Sequence, residues 1–386
     1  MNKKVEWEKT RADNIFYPIS VKNKSNLNLE VLSVTQDQGV IKRKDLSFDL
    51  KYDESSINTY KIVKSGQFII SLRSFQGGIE LSEIDGLVSP AYTIFESKKN
   101  IYPHFFKYLF KSPRFINKLN GLIYGIRDGK QISFSDFSTM ILDIPPLNEQ
   151  ISIANILKLW DEAINILSTK ITHEKTRKKS ITSKIYRGDL SHSNVSKENY
   201  KKIGLYVEEK NIRNNGLSEA VLSVSNSKGF IPQDEQFDHV VASKDKNKYK
   251  IVNRGEFAYN PSRVNVGSID LLTTLDIGIL SPMYVVFKCN SDLNNRYLYH
   301  FLKSDLFLQL IPKYTQGSVR DSLSFDGLCS MKLYIPTLEE QLVYAQALDS
   351  IDDYIKKLEQ LLELYKLQKK GLMQQLLTGK IRVNVN

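Results

Sequence analysis

The residues of this chain whose types and spacing could do chemistry are arginines and amides on loops that contain glycine. Residues 71–78 align with 261–268 at a shift of 190 positions, which places Arg73 over Arg263, each after a run that predicts a strand. An arginine on such a loop can donate two hydrogen bonds to the O6 and N7 atoms of guanine, and glutamine or asparagine can read adenine. The pattern predicts loops that contact DNA.

Two further polar loops recur in both halves of the sequence. Residues 125–130 correspond to 317–321 with one residue inserted, and a polar loop follows the first strand of each half. The loops differ between the halves while the flanking runs agree, as two readers of different DNA sequences on one scaffold would require. For any single arginine, the alternative is a solvated surface charge. The candidate DNA-contacting residues are Gln36, Lys42, Arg43, Arg73, Gln76, Arg127, Lys130, Asn226, Lys228, Arg263, Asn265, Lys313, Gln316 and Arg320.

Sequence patterns for catalysis are absent. The chain contains no Gly-x-Gly-x-x-Gly, no Gly-x-x-x-x-Gly-Lys and no Gly-x-Ser-x-Gly. Its five histidines stand apart, and neither Cys289 nor Cys329 has a cysteine or histidine neighbour at metal-ligand spacing. Segments 143–147 and 260–263 are similar to an amino-methyltransferase motif, but no glycine-rich cofactor loop precedes either. We therefore expect a chain that is not an enzyme and binds no metal or cofactor itself.

Composition and charge limit the class of protein. The chain has 386 residues, and 54 Lys and Arg against 43 Asp and Glu give a formal charge of +11, which favours a polyanionic partner. Twenty Tyr and eighteen Phe exclude a disordered basic tail. The amino terminus lacks the apolar core of a signal peptide, and no apolar run approaches the ~20 residues of a membrane helix. We expect a soluble, cytoplasmic chain with no membrane contact.

The chain repeats itself at a nearly constant offset. Tyr60–Val63 returns as Tyr249–Val252 at a shift of 189, and Ile144–Gln150 returns as Ile335–Gln341 at a shift of 191. Matches that keep the same order and offset predict a tandem duplication of a unit about half the length of the chain.

The first part of each repeat predicts a mixed α/β domain. Short β-branched and aromatic runs, broken by Gly, Asn, Asp and Ser, predict strands. One helical piece follows in each repeat, at 102–117 and 293–310, where apolar residues recur at spacings of three and four.

A long helix closes each repeat. Apolar residues alternate spacings of three and four over about four heptads, which is typical of a coiled-coil seam. Gly188 and Gly379 end the helices, and Thr337 with Glu340 fits a capping box at the start of the second. Antiparallel pairing is favoured, because it relates the repeats by a pseudo-twofold axis. The candidate seam and subunit-interface residues are Leu157, Trp160, Ile164, Leu167, Ile171, Leu348, Ile351, Ile355, Leu358 and Leu362.

These features predict an α/β (α+β) fold. Two similar mixed α/β domains, at 1–147 and 191–337, are separated by a pair of long coiled-coil helices at 148–190 and 338–386. The second half of the first helix is basic, and this cluster either touches phosphates or is a solvated helix face. The cluster comprises Lys170, Lys175, Arg177, Lys178, Lys179, Lys184 and Arg187.

The repeated motifs resemble those of the specificity subunit of type I restriction–modification systems, the HsdS family. Both repeats carry a Ser-Pro-x-Tyr strand, a loop with glycine and arginine, and an Ile-Pro-x-Leu-x-Glu-Gln helix start. The resemblance covers essentially the whole chain. It implies target-recognition domains in the two globular parts and conserved helices after them. It also adds Glu149, Gln150, Glu340 and Gln341, at the helix starts, to the candidate interface residues.

The resemblance implies a non-catalytic DNA-binding subunit. Each recognition domain in this family reads one half of a split, asymmetric target in double-stranded DNA, and the helix pair sets the spacer between the halves. The implied partners are two modification (methyltransferase) subunits, which bind S-adenosylmethionine, and restriction (translocase and nuclease) subunits, which use ATP and magnesium.

Two alternatives stay open on the sequence alone. The chain could be the specificity module of another restriction class, with a different set of partners, or a coiled-coil scaffold that does not bind DNA. The family's base-reading residues cannot be carried over, because those loops vary among its members. The sequence therefore predicts neither the target bases nor the spacer length.

Overall fold

The computed structural model describes residues 6–36, 38–46, 54–72, 79–121, 132–191, 196–218, 220–233, 246–315 and 322–383. The chain divides into two compact units. Unit 1 comprises residues 1–167 and 361–386, and unit 2 comprises residues 168–360. No helix among the described residues is long and apolar enough to cross a membrane.

Unit 1 is a mixed α/β domain built from small antiparallel sheets. Its four-stranded sheet has the order β2-β9-β6-β7, and the pairs β1-β10, β3-β4 and β5-β8 form separate two-stranded sheets. The elements are β1 Glu8–Arg11, β2 Phe16–Ile19, β3 Leu32–Thr35, β4 Gly39–Lys42, β5 Lys61–Val63, β6 Phe68–Ile70, β7 Ile79–Leu81, β8 Gly86–Val88, β9 Thr93–Ser97, α1 Pro103–Lys111, α2 Pro113–Gly121, α3 Phe134–Ser138, β10 Ile141–Ile144 and α4 Leu147–Tyr186, whose second half belongs to unit 2.

Unit 2 repeats this plan in the same order. Its four-stranded sheet is β12-β19-β16-β17, with the pairs β11-β20, β13-β14 and β15-β18. The elements are β11 Tyr200–Lys202, β12 Val207–Lys210, β13 Leu222–Ser225, β14 Gly229–Pro232, β15 Lys250–Asn253, β16 Phe257–Tyr259, β17 Ile269–Leu271, β18 Ile277–Leu280, β19 Val285–Cys289, α5 Asn295–Leu302, α6 Asp305–Tyr314, α7 Phe325–Ser330, β20 Lys332–Tyr334 and α8 Leu338–Leu376, whose second half belongs to unit 1. The predicted duplication and mixed α/β class are confirmed.

The single helical piece predicted in each repeat is wrong, because each is two helices. A serine lies between the two helices at the same place in both repeats. The Ser112 hydroxyl donates to the carbonyl of Leu109 at 2.7 Å and accepts from the amide of Phe115 at 3.3 Å. Ser304 makes the same pair of bonds, to Phe301 at 2.6 Å and from Phe307 at 3.3 Å. The hydroxyl thus ends one helix and caps the next.

Each domain packs its core against segments of both long helices. In unit 1, a phenylalanine cluster centres on Phe16, whose ring lies 5.3 Å from Phe95 and 5.2 Å from Phe106. Leu157 of α4 and Leu376 of α8 belong to the same buried cluster. In unit 2, the corresponding helix residues in the core include Ile185 and Tyr186 of α4 with Ala345 and Leu348 of α8.

The long helices pair in antiparallel fashion, as predicted, within each unit. In unit 1, the ring of Trp160 lies edge-on to that of Tyr365, with 5.4 Å between centroids. In unit 2, Lys178 contacts Asp352 at 2.5 Å, whereas the earlier residue Lys175 contacts the later residue Glu359 at 2.7 Å. Seam positions are buried at Leu157, Leu167, Ile171, Leu348, Ile355 and Leu358, and half-buried at Trp160, Ile164, Ile351 and Leu362.

Local sequence signals position the ends of these helices. Glu340 and Thr337 form the capping box reciprocally, with amide-to-side-chain distances of 3.3 and 3.2 Å. Gly188 and Gly379 follow the two helices with φ of 72° and 68°. A residue with a Cβ is disfavoured in that conformation, which is why glycine ends both helices.

Candidate nucleic-acid interface

The β13–β14 hairpin of unit 2 presents two of the predicted residues at its turn. Asn226 and Lys228 are both exposed there. The turn closes at Gly229, whose φ is +67°, and a Cβ at this position would lie 1.5 Å from the Oδ2 atom of Asp270. Glycine is therefore required by both backbone conformation and close approach, and the turn rests directly on strand β17.

A second loop, between β16 and β17, lies beside this turn. It carries Arg263 and Asn265, both exposed, on either side of the buried Val264. The hydroxyl of Ser268 at the end of the loop donates to the carbonyl of Val224 at 2.6 Å, which fastens the loop to strand β13. The two loops thus place Asn226, Lys228, Arg263 and Asn265 at the same end of the domain.

Lys313 lies on the last turn of α6 and is exposed. The next described segment begins at residue 322. It lies in the same region, because the amide of Leu323 donates to the carbonyl of Pro261 at 3.1 Å. Six predicted residues lie outside the described residues: Arg73, Gln76, Arg127, Lys130, Gln316 and Arg320.

In unit 1 the predicted residues of the first hairpin separate. Gln36 lies in the β3–β4 turn, where its carbonyl accepts from the Nζ of Lys111 at 3.1 Å. Lys42 and Arg43 lie at the other end of the hairpin, where the Arg43 amide donates to the carbonyl of Val31 at 2.8 Å. Only Gln36 thus corresponds in position to the Asn226 turn of unit 2.

A lysine–carboxylate pair that the sequence analysis missed supports each hairpin turn. Lys111 contacts the buried Glu80 in unit 1, and Lys303 lies 3.8 Å from Asp270 in unit 2. Burial raises the pKa of Asp270 and lowers that of Lys303. The signal was available in the repeat, because Ile79-Glu80-Leu81 recurs as Ile269-Asp270-Leu271.

The glutamines at the helix starts attach each long helix to its domain. In unit 1, the side chain of Gln150 accepts from the amide of Tyr102 at 2.9 Å and donates to the carbonyl of Pro145 at 2.9 Å. In unit 2, Gln341 accepts from Asn294 at 2.8 Å and donates to Pro336 at 3.0 Å. Both glutamines are buried, so their hydrogen bonds serve the fold of this chain.

The preceding glutamates have different partners in the two units. Glu149 is buried, and its carboxylate binds the guanidinium of Arg382 at 2.6 Å and accepts from the indole of Trp7 at 3.2 Å. Glu340 accepts a bond of 3.3 Å from the hydroxyl of Ser191, which occupies the position equivalent to Arg382 at a shift of 191.

The helix pair of unit 1 exposes an apolar face. Leu159, Ile166 and Leu364 are exposed by 65%, 69% and 56%. The first two immediately precede seam residues, and Leu364 immediately precedes Tyr365, whose ring contacts the seam residue Trp160. In an antiparallel pair, positions that precede the seam residues of both helices lie on one side. We call this set the apolar face. Its equivalents in unit 2, at a shift of 191, are Ser350, Lys357 and His173.

The thiols of the chain are poorly suited to nucleophilic chemistry. Burial raises the pKa of Cys289 to about 12 and that of Cys329 to about 11, so both stay protonated near neutral pH. Among the described residues there is also no group of three or more His, Cys, Asp or Glu that could hold a metal ion.

The comparisons with known proteins all find components of type I restriction–modification systems. The family described as the type I restriction modification DNA specificity domain matches residues 242–365. The type I restriction enzyme MjaVIII specificity subunit of Methanocaldococcus jannaschii is 26% identical over 286 residues, which cover 65% of this chain and 64% of that subunit. The putative MjaX specificity subunit of the same organism is 23% identical over 304 residues, covering 74% and 70%. The match to the first relative thus spans less than two thirds of its length.

Solved structures share the fold along nearly the whole chain. A chain from a type I restriction–modification complex aligns with a TM-score of 0.61 at 11% identity, over 98% of this chain and 99% of that one. The type I S subunit from M. genitalium gives a TM-score of 0.56 at 14% identity, and the HsdS subunit from Thermoanaerobacter tengcongensis gives 0.51 at 13%, each over 97% of both chains. Residues 242–365 are thus similar to the type I DNA specificity domain, and nearly the whole chain shares its fold with solved type I S subunits.

Proposed function

We propose that this chain is the sequence-specific DNA-binding subunit of a type I restriction–modification complex. Its two domains read the two halves of a split, asymmetric target in double-stranded DNA. The observation that carries the proposal is the placement of exposed polar loops on a repeated scaffold. The hairpin turn presents Gln36 in unit 1 and Asn226 with Lys228 in unit 2, so equivalent positions offer different side chains to the bases.

The chemistry of the unit 2 loops fits base and phosphate contacts. Arg263 has the planar guanidinium that matches guanine O6 and N7, and Asn226 and Asn265 carry the amide that matches adenine N6 and N7. Lys228 supplies a point charge for a phosphate. Contacts of the first kind carry sequence information, and the second kind fixes the protein on the duplex.

We propose further that the coiled coil docks two modification subunits and that the catalytic steps belong to partners. The apolar face of unit 1 supports docking, because exposed apolar side chains that cluster on one side of a helix pair favour a protein partner. S-adenosylmethionine then belongs to the modification subunits, and ATP with magnesium belongs to the restriction subunits. The assembled complex acts on DNA in the cytoplasm.

The experiment that tests the reading function maps methylated adenines in DNA from cells that carry this chain with its modification subunits. We expect one bipartite motif. Arg263→Ala should relax or abolish recognition at one half-site only, with a loss of about 1–3 kcal/mol in binding free energy. Arg254→Ala is the matched control. Arg254 precedes the start of strand β16, whereas Arg263 follows its end, and Arg254 pairs with Asp276 at 2.8 Å.

Three results would contradict the proposal in different ways. A modified motif that is continuous would favour the specificity module of another restriction class. An assembled complex that retains no specific DNA would favour a coiled-coil scaffold. An Arg263→Ala variant with an unchanged motif and affinity would remove this loop from the reading surface.

A further inference from the structure

Unit 2 contains a cavity whose lining is mostly cationic. It has a volume of about 560 Å³ and lies among the second half of α4, the start of α6 and the first half of α8. Pockets for small ligands commonly enclose about 300–1,000 Å³. Six cationic side chains line it: Lys175, Lys178, Lys179, Arg187, Lys303 and Lys356.

The carboxylates of the lining are already engaged by three of these lysines. The pairs are Lys175–Glu359 at 2.7 Å, Lys178–Asp352 at 2.5 Å and Lys179–Asp305 at 3.0 Å. A fourth lysine, Lys303, lies near Asp270 beneath the hairpin. Within the described part of the chain, Arg187 and Lys356 have no carboxylate within 4.0 Å. The cavity therefore keeps an excess of positive charge after its internal pairs are formed.

A buried polar atom at this cavity lacks a partner. The side chain of His300 is 1% exposed, and its Nε2 lies 2.9 Å from the Oδ1 of Asp349. Its Nδ1 has no hydrogen-bond partner in the described structure, and the Oδ2 of Asp352 is 3.8 Å away from it. Because an unsatisfied buried group is costly, a missing partner on the Nδ1 side is indicated.

The start of α6 adds a further electropositive element. Ser304, Asp305 and Leu306 line the cavity, and α6 is a helix of ten residues. Ser304 caps the amide of Phe307, the preceding amides of α6 have no acceptor within the helix, and the helix dipole places a partial positive charge at this end. Lysines, an arginine and a helix start together are a set that favours phosphate.

The equivalent positions in unit 1 lack the three unpaired groups. At shifts of 191 or 192, Tyr108 replaces His300, Thr378 replaces Arg187, and Asn165 replaces Lys356. The Tyr108 hydroxyl also has a hydrogen-bond partner, because it donates to the Oδ2 of Asp161 at 2.8 Å. The unpaired cations and the unpaired imidazole nitrogen therefore belong to unit 2 and not to the repeated scaffold.

We propose that this cavity of unit 2 binds a phosphate group, held by Arg187, Lys356 and the Nδ1–H of the protonated His300 ring. The phosphate comes from one of two sources, the backbone of bound DNA or a free nucleotide. The site lies on the helix pair and is separate from the loops proposed to read bases, so it extends the proposed function without depending on base reading.

The test uses the full chain and a double variant that installs the unit 1 residues, Arg187→Thr with Lys356→Asn. Inorganic phosphate is titrated by calorimetry. We expect the variant to bind phosphate at least tenfold more weakly than the wild type. The control is Lys184→Thr with Lys357→Asn, because these exposed lysines lie on the same two helices outside the cavity lining. The control should stay within about twofold of the wild type, since only nonspecific charge is lost.

Two further arms distinguish the sources of the phosphate. If the backbone of DNA supplies it, the double variant binds a duplex of any sequence more weakly, and the slope of log affinity against log salt falls by about 1 to 2. If a nucleotide supplies it, ATP binds the wild type more tightly than inorganic phosphate does, and the duplex affinity of the variant is unchanged. Absence of phosphate, nucleotide and cavity-dependent duplex binding would overturn the proposal, whatever the fate of base reading.

A separate readout reports on the histidine. His300 faces Lys178, Asp349 and Asp352, and Arg296 binds the same Asp349. Phosphate should raise the pKa of His300, measured by NMR of the ring, because an anion stabilises the protonated imidazole. Phosphate binding should accordingly strengthen as the pH falls. A His300 pKa that phosphate leaves unchanged would remove the ring from the site.

Discussion

The two units join their helix segments by the same kind of ion pair, but the domain side chain that contacts this pair differs in chemistry between them. Each has a lysine on one long helix, an aspartate on the other and a ring on the domain's first helix. The members are Lys369, Asp161 and Tyr108 in unit 1, and Lys178, Asp352 and His300 in unit 2. The lysine–aspartate pair is common to both units, whereas a phenol in one becomes an imidazole in the other. The scaffold thus keeps helix pairing constant while the domain-facing position varies.

The same contrast extends along the helices. Glu149 of unit 1 is buried against a cation, whereas Glu340 of unit 2 accepts hydrogen bonds from the hydroxyl of Ser191 and within its own capping box. Unit 1 exposes leucine and isoleucine where unit 2 has serine, lysine and histidine. Two partners that dock on the two units would therefore meet surfaces of different polarity.

The largest expected effect comes from giving unit 1 the unit 2 residue at Arg382. Arg382→Ser leaves the buried Glu149 carboxylate without its cation, so we expect unit 1 to lose about 3 kcal/mol of stability. Both tryptophans of the chain, Trp7 and Trp160, lie in unit 1, so denaturation followed by tryptophan fluorescence reports this loss. Ser191→Ala, followed by calorimetry, should cost less than about 1 kcal/mol. Equal losses for the two variants would contradict the contrast.

An intermediate effect is expected from removing the apolar face of unit 1. Leu159→Glu with Ile166→Glu replaces two of its side chains by charges and should weaken docking of a modification subunit there by at least tenfold, because each buried apolar side chain contributes about 1.5–3 kcal/mol. Size-exclusion chromatography with light scattering should then show one bound subunit instead of two. The matched control, Lys357→Asn, alters unit 2 without changing the apolar face. Retention of two subunits at micromolar concentration would contradict the proposal that a modification subunit docks on the apolar face.

The smallest effect concerns pH and separates the two rings. Burial lowers the pKa of His300 below its usual value, so the folded chain resists protonation that the unfolded chain accepts. Stability of unit 2 should therefore fall as the pH drops from the unfolded pKa of about 6.5 toward the lowered folded value. In phosphate-free buffer, His300→Tyr should flatten this dependence between pH 7.5 and 5.5, as measured by hydrogen exchange in α5. A slope that survives in the variant would point to another titrating group.

Periodicity and repetition predicted the large features well. The heptad pattern and the constant offset predicted two long helices, a duplication and antiparallel pairing, because those features follow from apolar spacing over many residues. The break inside each domain's helical piece escaped, since the apolar spacing continues across Ser112 and Ser304 while a single hydroxyl changes the backbone. A local hydrogen bond is weakly encoded in a periodic pattern.

The repeat predicts which loops carry the candidate residues, but it does not predict which of those loops lie side by side. Asn226 and Arg263 come together because Ser268 fastens one loop to the strand of the other, a contact between segments that are distant in sequence. Lys42 and Arg43 are close to Gln36 in sequence, but a hairpin of four-residue strands carries them to its opposite end. The loops that contain Arg73, Arg127 and Arg320 lie outside the described residues, so their roles stay predictions.

One feature of unit 1 bears on how the chain could be rearranged. Trp7 lies against Gly379, and the guanidinium of Arg382 sits 5.7 Å from the Trp7 ring centroid, so segments from opposite ends of the sequence share one domain. In unit 2, the equivalent contact joins Ser191 to Glu340. Each unit thus combines the domain of one repeat with the end of the other repeat's long helix, so the order of the segments is cyclic. A circular permutant that joins residue 383 to residue 6 and opens the chain at 192–195 should recover the same pairings, with the two repeats exchanged in order.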